Sequence, residues 1–225
     1  MGSYPSPPPE EQAYRLADIS GKGKHAYNVK IGRMQVHIFR PVAFGDEITL
    51  SYTIGGPSDV RQRMLKEYFG FSCACELCSL PAPELAESDK RLRRAQELDD
   101  RIGDPKRVRH NPLAALRDCH ALWLIYQHER IKDLRLPRLY HDAFQICAMH
   151  SDIPQAKAFA QRSCEARILC EGEDHPNVEG ERALVKRPEG FENWGVARMW
   201  RRTAGEAVPR EGAEGFERWL WRLEG

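Results

Sequence analysis

The chain has 225 residues, 41% of them hydrophobic and 30% charged, which is enough apolar material for a core and excludes a wholly disordered protein. Its formal net charge of +1 gives no global positive field for nonspecific nucleic-acid binding, and no run of about 18 apolar residues is present that would span a membrane. Seven cysteines, an odd number in a chain where no secretory signal is expected, favour metal ligands or buried thiols over a disulfide framework.

The first 24 residues are predicted to form a disordered leader. Residues 1–12 are rich in Pro, Ser and Glu, with three prolines in a row at 7–9, and no hydrophobic periodicity follows as far as residue 24. The GKGK run at 21–24 is interpreted as a loop, because no strand–loop–helix context accompanies it that would make it a phosphate-binding loop.

Strands are predicted after the leader. Val36 and Ile38 alternate with polar residues, as in a half-buried strand, and a Gly-Asp turn follows at 45–46. A second strand is predicted over 46–52, with one apolar face made of Ile48, Leu50 and Tyr52.

A helix is predicted after the Gly-Gly-Pro breaker at 55–57, and Ser58 is expected to cap it. Its apolar stripe is expected to comprise Val60, Met64 and Tyr68, with Leu65 and Phe69 beside it.

Three cysteines within six residues form the sharpest local pattern of the chain: Cys73, Cys75 and Cys78. Thiolates are preferred ligands of Zn2+, and such short spacings let one loop wrap a tetrahedral ion. The pattern predicts a zinc site with three visible ligands and a fourth from elsewhere, His25 being the nearest substitute in sequence. The alternative is three incidental cysteines. The other four fall in helical patterns and are predicted to be buried thiols: Cys119, Cys147, Cys164 and Cys170.

Beyond a proline-containing linker at 80–83, residues 84–225 are predicted to form an α-helical domain that folds by itself. Helical periodicity runs over 84–101, from 111 onward, and over 137–149, 153–170, 193–203 and 214–223. In the second of these helices the buried side is expected to comprise Leu113, Leu116, His120 and Leu124. Paired helices joined by short turns favour a solenoid-like array. The predicted class is α+β, a small β-rich region at 25–80 followed by helices.

Two stretches resemble the end of a SET domain and its post-SET zinc segment. They are GDEITLSY at 45–52 and YFGFSCACELC at 68–78, in the order and spacing of that family, with an arginine-containing helix between them. The overall arrangement resembles fungal proteins of the SET-and-MYND group, whose C-terminal domain is TPR-like. The resemblance covers roughly residues 25–200.

The resemblance implies an S-adenosylmethionine-dependent protein-lysine methyltransferase acting in the cytoplasm or nucleus. At the matching positions Tyr52 is the catalytic tyrosine, Phe71 stacks on the cofactor's adenine, and Phe69 borders the same pocket. Methyl transfer depends chiefly on alignment, which a tyrosine hydroxyl holding the lysine amine supplies. The implied partner is a protein or peptide substrate, histones included, with no membrane and no direct nucleic-acid contact.

The sequence departs from this family at one important place. The family's Asn-His-Ser-Cys segment contacts the cofactor and supplies the fourth zinc ligand, but residues 18–24 here are DISGKGK and no Asn-His-Ser occurs in the chain. A truncated, catalytically incomplete SET protein is therefore expected. The alternative is a non-enzymatic interaction module whose helical domain binds a peptide. A zinc-dependent nucleic-acid binder is disfavoured by the near-neutral charge.

Overall fold

A computed structural model describes residues 23–38, 41–53, 55–202, 208–210 and 212–223. The predicted leader therefore lies outside the described residues, except for its last two positions. Within the described ranges a short hairpin is followed by helices, an architecture compatible with the α+β class but dominated by helix. None of the described helices is both long and apolar enough to cross a bilayer.

The hairpin consists of β1, Gly23–Asn28, and β2, Arg33–Ile38. The strands pair antiparallel, with Gly23 opposite Ile38 and Asn28 opposite Arg33. Gly32 supplies a left-handed φ of 63° in the connecting turn, a conformation that glycine adopts without steric cost.

The hairpin packs on the helices with its polar face. Gln35 is half-buried, whereas Val36 is 50% exposed. Asn28 is fully buried, and its Nδ2 donates to Oε1 of Gln35 and to Oδ2 of Asp174, both at 3.0 Å. The expectation that Val36 and Ile38 face the interior was wrong, because polar contacts with the helices orient this hairpin.

Residues 46–52 do not form the second predicted strand. Leu50 makes an isolated parallel bridge with Gly23, supported by a hydrogen bond from the Gly23 amide to the Thr49 carbonyl at 3.3 Å. Thr49 is buried while Ile48 is 52% exposed, so the inward face is opposite to the predicted one. Among the described residues, β1 contacts this segment only through Gly23, the first residue of the strand. An overlap of one residue is too short for a ladder of hydrogen bonds between two strands.

The helices account for most of the described chain. Their bounds are α1 Ser58–Phe69, α2 Ala82–Ile102, α3 Pro105–His110, α4 Pro112–His128, α5 Arg135–Met149, α6 Ile153–Glu171, α7 Pro176–Lys186 and α8 Phe216–Leu220, with a 3-10 turn at Pro188–Gly190. The helices predicted over 84–101, 137–149 and 153–170 are confirmed with small shifts at their ends. The helix predicted over 214–223 is shorter, because α8 begins at Phe216 and ends at Leu220.

The helix predicted over 193–203 is wrong for its described residues, which form turns. Their backbone binds the turn between α5 and α6 instead. The Gly195 amide donates to the Ala148 carbonyl and the Trp200 amide to the His150 carbonyl, both at 3.0 Å. Donors that a helix would use internally are thus committed to another part of the chain.

The helices that follow α1 pack around one buried cluster, whose members all lie between residues 92 and 221. Its largest side chains include Phe144, Phe159 and Trp221. On α4 the buried face contains Leu116 as predicted, but Leu124 is 50% exposed. Leu122 and Tyr126 take its place, because the face turned to the core is displaced around the helix from the predicted stripe. The prediction of buried thiols is confirmed for the four cysteines of the helical part: Cys119, Cys147, Cys164 and Cys170.

The hairpin is anchored to the turn between α6 and α7 and to the first turn of α7. Lys30 pairs with Glu179 at 2.8 Å, in addition to the contact of Asn28 with Asp174. Gly172 in that turn has a φ of 87°, and a Cβ there would overlap the ring of His37. Glycine is therefore required at this position both for its backbone conformation and for the approach of β2.

Candidate functional site

Three aromatic residues predicted to serve one site lie together in the structure. The ring of Tyr52 is 5.0 Å from that of Phe69 and 5.5 Å from that of Phe71, both in edge-to-face geometry with interplanar angles of 74°. The Phe69 and Phe71 rings are 6.4 Å apart. Phe71 is 5% exposed and Phe69 42% exposed, so Phe69 offers the more open ring of the two.

The backbone before α1 brings Tyr52 to these phenylalanines. The hydroxyl of Ser51 donates to the Thr53 carbonyl at 2.7 Å and bends the chain directly after the tyrosine. Gly55 and Gly56 then adopt φ angles of 99° and 100°, which reverse the chain into α1.

The end of α1 completes the aromatic cluster. Phe69 is the last residue of the helix, and Gly70 follows with a φ of 79°. The Gly70 amide donates to the Lys66 carbonyl at 3.2 Å, as in a left-handed helix C-cap. This turn directs Phe71 back toward Tyr52 and leads into the cysteine loop.

The three cysteines of that loop form a compact group. The Sγ atoms of Cys73, Cys75 and Cys78 all lie within 4.8 Å of one another. A tetrahedral zinc ion with Zn–S bonds of about 2.3 Å holds its sulfurs ~3.8 Å apart, so these ligands fit such an ion with small adjustments. His25 is exposed on β1 and is not part of the group, which removes it as the expected fourth ligand.

Protons compete with a metal ion for these sulfurs. The pKa of Cys73 lies far above its usual range, because the thiol hydrogen-bonds with the sulfurs of Cys75 and Cys78 and because burial disfavours the thiolate. A divalent cation reverses this preference, since coordination deprotonates a thiol outright. Metal binding at this group would therefore release protons.

Gln62 holds the loop in place from α1. Its Nε2 donates to the Cys73 carbonyl at 2.7 Å, and its Oε1 accepts from the Cys73 amide at 2.8 Å. This two-point contact fixes both polar groups of the first cysteine's backbone. The sequence prediction missed Gln62 because a polar residue on an arginine-containing helix carries no signal of what it contacts.

The buried face of α1 differs from the predicted stripe. Arg61 and Leu65 are buried, whereas Tyr68 is 71% exposed and Val60 38% exposed. The alternative stripe 61, 65, 69 has ordinary helical spacing and could have been found in the sequence, but it begins with an arginine. The guanidinium of Arg61 donates to the Gly56 carbonyl, and its Nη2 lies 3.4 Å from Sγ of Cys78.

The second helix holds the start of the first. Ser58 does not cap α1 with its own side chain as predicted, because its hydroxyl donates to Asp89 of α2. An exposed ion pair between Arg93 and Asp59, at 2.8 Å, joins the same two helices. The cysteine loop and the aromatic cluster are thus connected through α1 to the helical part of the chain.

The structure brings the tyrosine, phenylalanine and cysteine residues predicted for the site into one region. A small buried cluster of Leu65, Phe71, Cys73 and Cys75 is flanked by Tyr52, Leu77 and Cys78. Phe69 joins it through its contact with Tyr52. An aromatic surface and a three-sulfur group are therefore adjacent, and a flat aromatic ligand and a thiophilic cation are what these groups can bind.

Comparison with known proteins adds an independent observation. No protein-family model matches the chain. It is 32% identical over 160 residues to the protein named histone-lysine N-methyltransferase set5 of Schizosaccharomyces pombe. The match covers 70% of this chain and 49% of that protein, so the chain spans about half the length of the curated relative it matches. This distant homology supports the SET-domain resemblance of the sequence.

Proposed function

We propose that this chain carries the post-SET part of a SET-domain protein-lysine methyltransferase, joined to a TPR-like helical domain of the SET-and-MYND type. The observation that carries the proposal is the cluster of Tyr52, Phe69 and Phe71 directly beside the three-cysteine group. The homology to a histone-lysine methyltransferase supports the same reaction class. We expect a protein substrate, with histones as the first candidates, and a nuclear or cytoplasmic location.

The residues of this chain have distinct roles in the proposed reaction. S-adenosylmethionine supplies an electrophilic methyl group when bound. Phe71 and the more open ring of Phe69 provide an aromatic wall suited to the adenine ring, and the Tyr52 hydroxyl orients the lysine amine. Holding the amine in line with the methyl group is worth several orders of magnitude in rate, because alignment is the main requirement of this transfer.

The cysteine loop has a structural role in this proposal. A zinc ion on Cys73, Cys75 and Cys78 would fix the loop that follows Phe71, and a further ligand would complete its tetrahedron. Because the Cys73 backbone is clamped by Gln62, the ion also stabilises the packing of the loop on α1.

We propose further that the 225-residue chain alone transfers methyl groups slowly. The described aromatic residues form one wall of a cofactor site, and the Asn-His-Ser segment that the family uses at the opposite side is not present in the sequence. Misalignment of a bound cofactor by itself costs several kcal/mol of barrier, equivalent to about three orders of magnitude in rate.

Calorimetric titration with S-adenosylmethionine and a radiolabelled methyl-transfer assay on histones test this proposal. Weak cofactor binding and negligible transfer are expected. Micromolar binding, with transfer abolished by Tyr52→Phe and retained by Tyr68→Phe, would show instead that the chain is a complete enzyme. Tyr68 is a matched control because it lies on α1 with its side chain 71% exposed.

A non-enzymatic interaction module is the second candidate, and one cavity of the helical part favours it. The cavity has a volume of about 440 Å³, and its lining includes Arg202, Arg218, Arg222, Trp219 and Glu214. Arg222 is already paired with Asp152, so the arginines at 202 and 218 would carry most of the attraction for an anion. This lining suits an acidic peptide with an aromatic or aliphatic side chain. Titration with acidic peptides, monitored by tryptophan fluorescence, would favour this function if affinity fell on Arg218→Gln.

A further inference from the structure

Arg61 is a fully buried arginine without a carboxylate partner in the described part of the chain. Its guanidinium donates to the carbonyl of Gly56 and, through Nη2, to Sγ of Cys78 at 3.4 Å. Its Nε is buried and has no hydrogen-bond partner among the described residues. Arg61 thus differs from the half-buried Arg135, which pairs with Asp133 at 2.7 Å.

A buried guanidinium needs a compensating negative charge. Arginine does not lose its proton in proteins, so burial cannot neutralise it as it neutralises a lysine. A carbonyl oxygen and a neutral thiol satisfy two of its donors but carry no net charge. Removing the charge from water without a counter-charge is unfavourable, and the described residues supply none.

The cysteine group can supply that counter-charge. Three thiolates carry three negative charges and a zinc ion carries two positive charges, so the centre has a net charge of −1 when its fourth ligand is neutral and is more negative when that ligand is an anion. That charge is opposite in sign to the one on Arg61, and the hydrogen bond to Cys78 places the two groups in direct contact. Hydrogen bonds to a coordinated thiolate are charge-assisted and stronger than those to a thiol.

We propose that Arg61 is a positioning residue of the metal centre, which balances the charge of the zinc–thiolate group and ties it to the Gly55-Gly56 turn. The inference rests on the zinc site of the proposed function and extends it to a residue outside the ligand set. Arg61 acts through Cys78 on one side and through the Gly56 carbonyl on the other. Zinc binding is thereby coupled to the reversal that follows Tyr52, because the same guanidinium holds both.

The same helix provides a matched control. Arg63 is exposed on α1, two residues from Arg61, and has the same charge and length. Arg61→Met removes the charge and both hydrogen-bond donors. Arg61→Lys keeps the charge but cannot bind Gly56 and Cys78 through two separate nitrogens. Arg63→Met removes an arginine charge from the exposed face of the same helix. Each variant is made in the full chain.

Zinc affinity, measured by competition with a chromophoric chelator, tests the inference together with the melting temperature of zinc-free and zinc-loaded protein. We expect Arg61→Met to weaken zinc binding about 10- to 100-fold, as removal of groups that contact ligands commonly does, and Arg61→Lys to lie between it and the wild type. Arg63→Met should bind zinc like the wild type. The zinc-free form of Arg61→Met should melt no lower than that of the wild type, because an uncompensated charge is removed.

Some results would overturn this inference but leave the proposed zinc site standing. Unchanged zinc affinity in both Arg61 variants would show that the guanidinium does not support the centre. Equal losses in melting temperature with and without zinc would show a purely structural role. If the Arg61→Met chain does not fold, the Arg61→Lys affinity decides: a value equal to the wild type contradicts the paired-donor role. A wild-type chain that binds no zinc would overturn both this inference and the proposed zinc site.

Discussion

The carboxylate of Asp89 on α2 caps the first turn of α1, accepting from the amide of Ser58 at 2.6 Å and from its hydroxyl at 2.5 Å. In most helices the side chain of the residue before the first turn accepts a hydrogen bond from a free amide there. Here a carboxylate from a different helix is the acceptor. Since Pro57 makes no side-chain cap, the start of α1 depends on this contact. The orientation of α1, which carries Gln62 and Arg61 toward the cysteine loop, is thereby linked to the helical part.

Replacement of Asp89 by alanine should loosen α1. Two donors at the helix start would lose their acceptor, and losses of a helix cap cost about 1–2 kcal/mol. Hydrogen exchange of the amides at 58–69 measures the expected drop in opening free energy. Asp100→Ala is the control, because Asp100 is exposed on the same helix; equal protection in the two variants would contradict the capping role.

Replacement of Gln62 by leucine should weaken zinc binding by about tenfold. The change removes both hydrogen bonds to the Cys73 backbone, so the first ligand would no longer be held in place before the ion arrives. Competition with a chromophoric chelator measures the effect. Glu67→Leu, an exposed position on the same helix, should leave the affinity unchanged, and a Gln62→Leu chain indistinguishable from it would refute the prediction.

Substitution of alanine at Gly172 should detach the hairpin. The φ of 87° is strained for any side chain, and the added Cβ would meet the His37 ring. A penalty of about 1–3 kcal/mol is expected from the backbone alone. Gly180→Ala is the matched control, because nothing lies within 4 Å of its added Cβ and alanine suits a helix. Limited proteolysis at 23–38 reports the detachment, and equal cleavage of the two variants would argue against it.

Asp142 should make stability fall as pH rises. Burial raises its pKa from 3.8 to about 6, against the smaller opposing effects of Arg138 and His141. The folded chain therefore holds a proton that the unfolded chain has lost between these values. The associated stability is fully present below pH 3.8 and is lost by about pH 6, a change of ~3 kcal/mol.

Asp142→Asn isolates that contribution, because other groups also titrate over this range. Urea unfolding at several pH values should show the wild type losing stability relative to the variant as pH rises. The difference between the two should flatten above about pH 6. Asp100→Asn, at an exposed site, should follow the wild type. A constant difference between wild type and Asp142→Asn at all pH values would disprove the assignment.

The fragment 84–225 should fold cooperatively without the residues before it. The main buried cluster is built from residues 92–221, and the cysteine loop belongs to a separate, smaller cluster. Circular dichroism should show helix and a single melting transition. A spectrum of mostly coil, or a gradual melt, would mean that the contacts of Asp89 and Asp174 with the preceding residues are required for folding.

The sequence predicted the structure best where a feature depends on the spacing of residues that are close together in the chain. The three cysteines come together as their spacing predicted, and the long amphipathic helices lie where their periodicity predicted, because thiol spacing and helical periodicity are local properties. The face of α1 and the orientation of β2 were not predictable in this way. In both cases a polar side chain, Arg61 or Asn28, is buried against partners that are distant in sequence or in an adjoining loop, and hydrophobic patterning assigns such residues to the surface.

The segments 46–52 and 193–202 show a second limit. Each has a periodicity typical of a regular element, yet its backbone binds a distant or neighbouring segment instead. Leu50 pairs only with Gly23 of β1, and the Trp200 amide donates to the carbonyl of His150. Whether a segment completes its own hydrogen bonds depends on which other backbone groups the fold places next to it.

The four buried thiols of the helical part can report local opening of the helices that contain them. Burial raises the pKa of Cys119 and Cys147, so neither reacts with an alkylating reagent while its helix stays packed. Cys164 and Cys170 occupy two levels of α6. Alkylation followed by mass spectrometry would therefore record, position by position, how often α4, α5 and α6 open. The order in which the four sites become labelled would then rank these helices by their opening free energies.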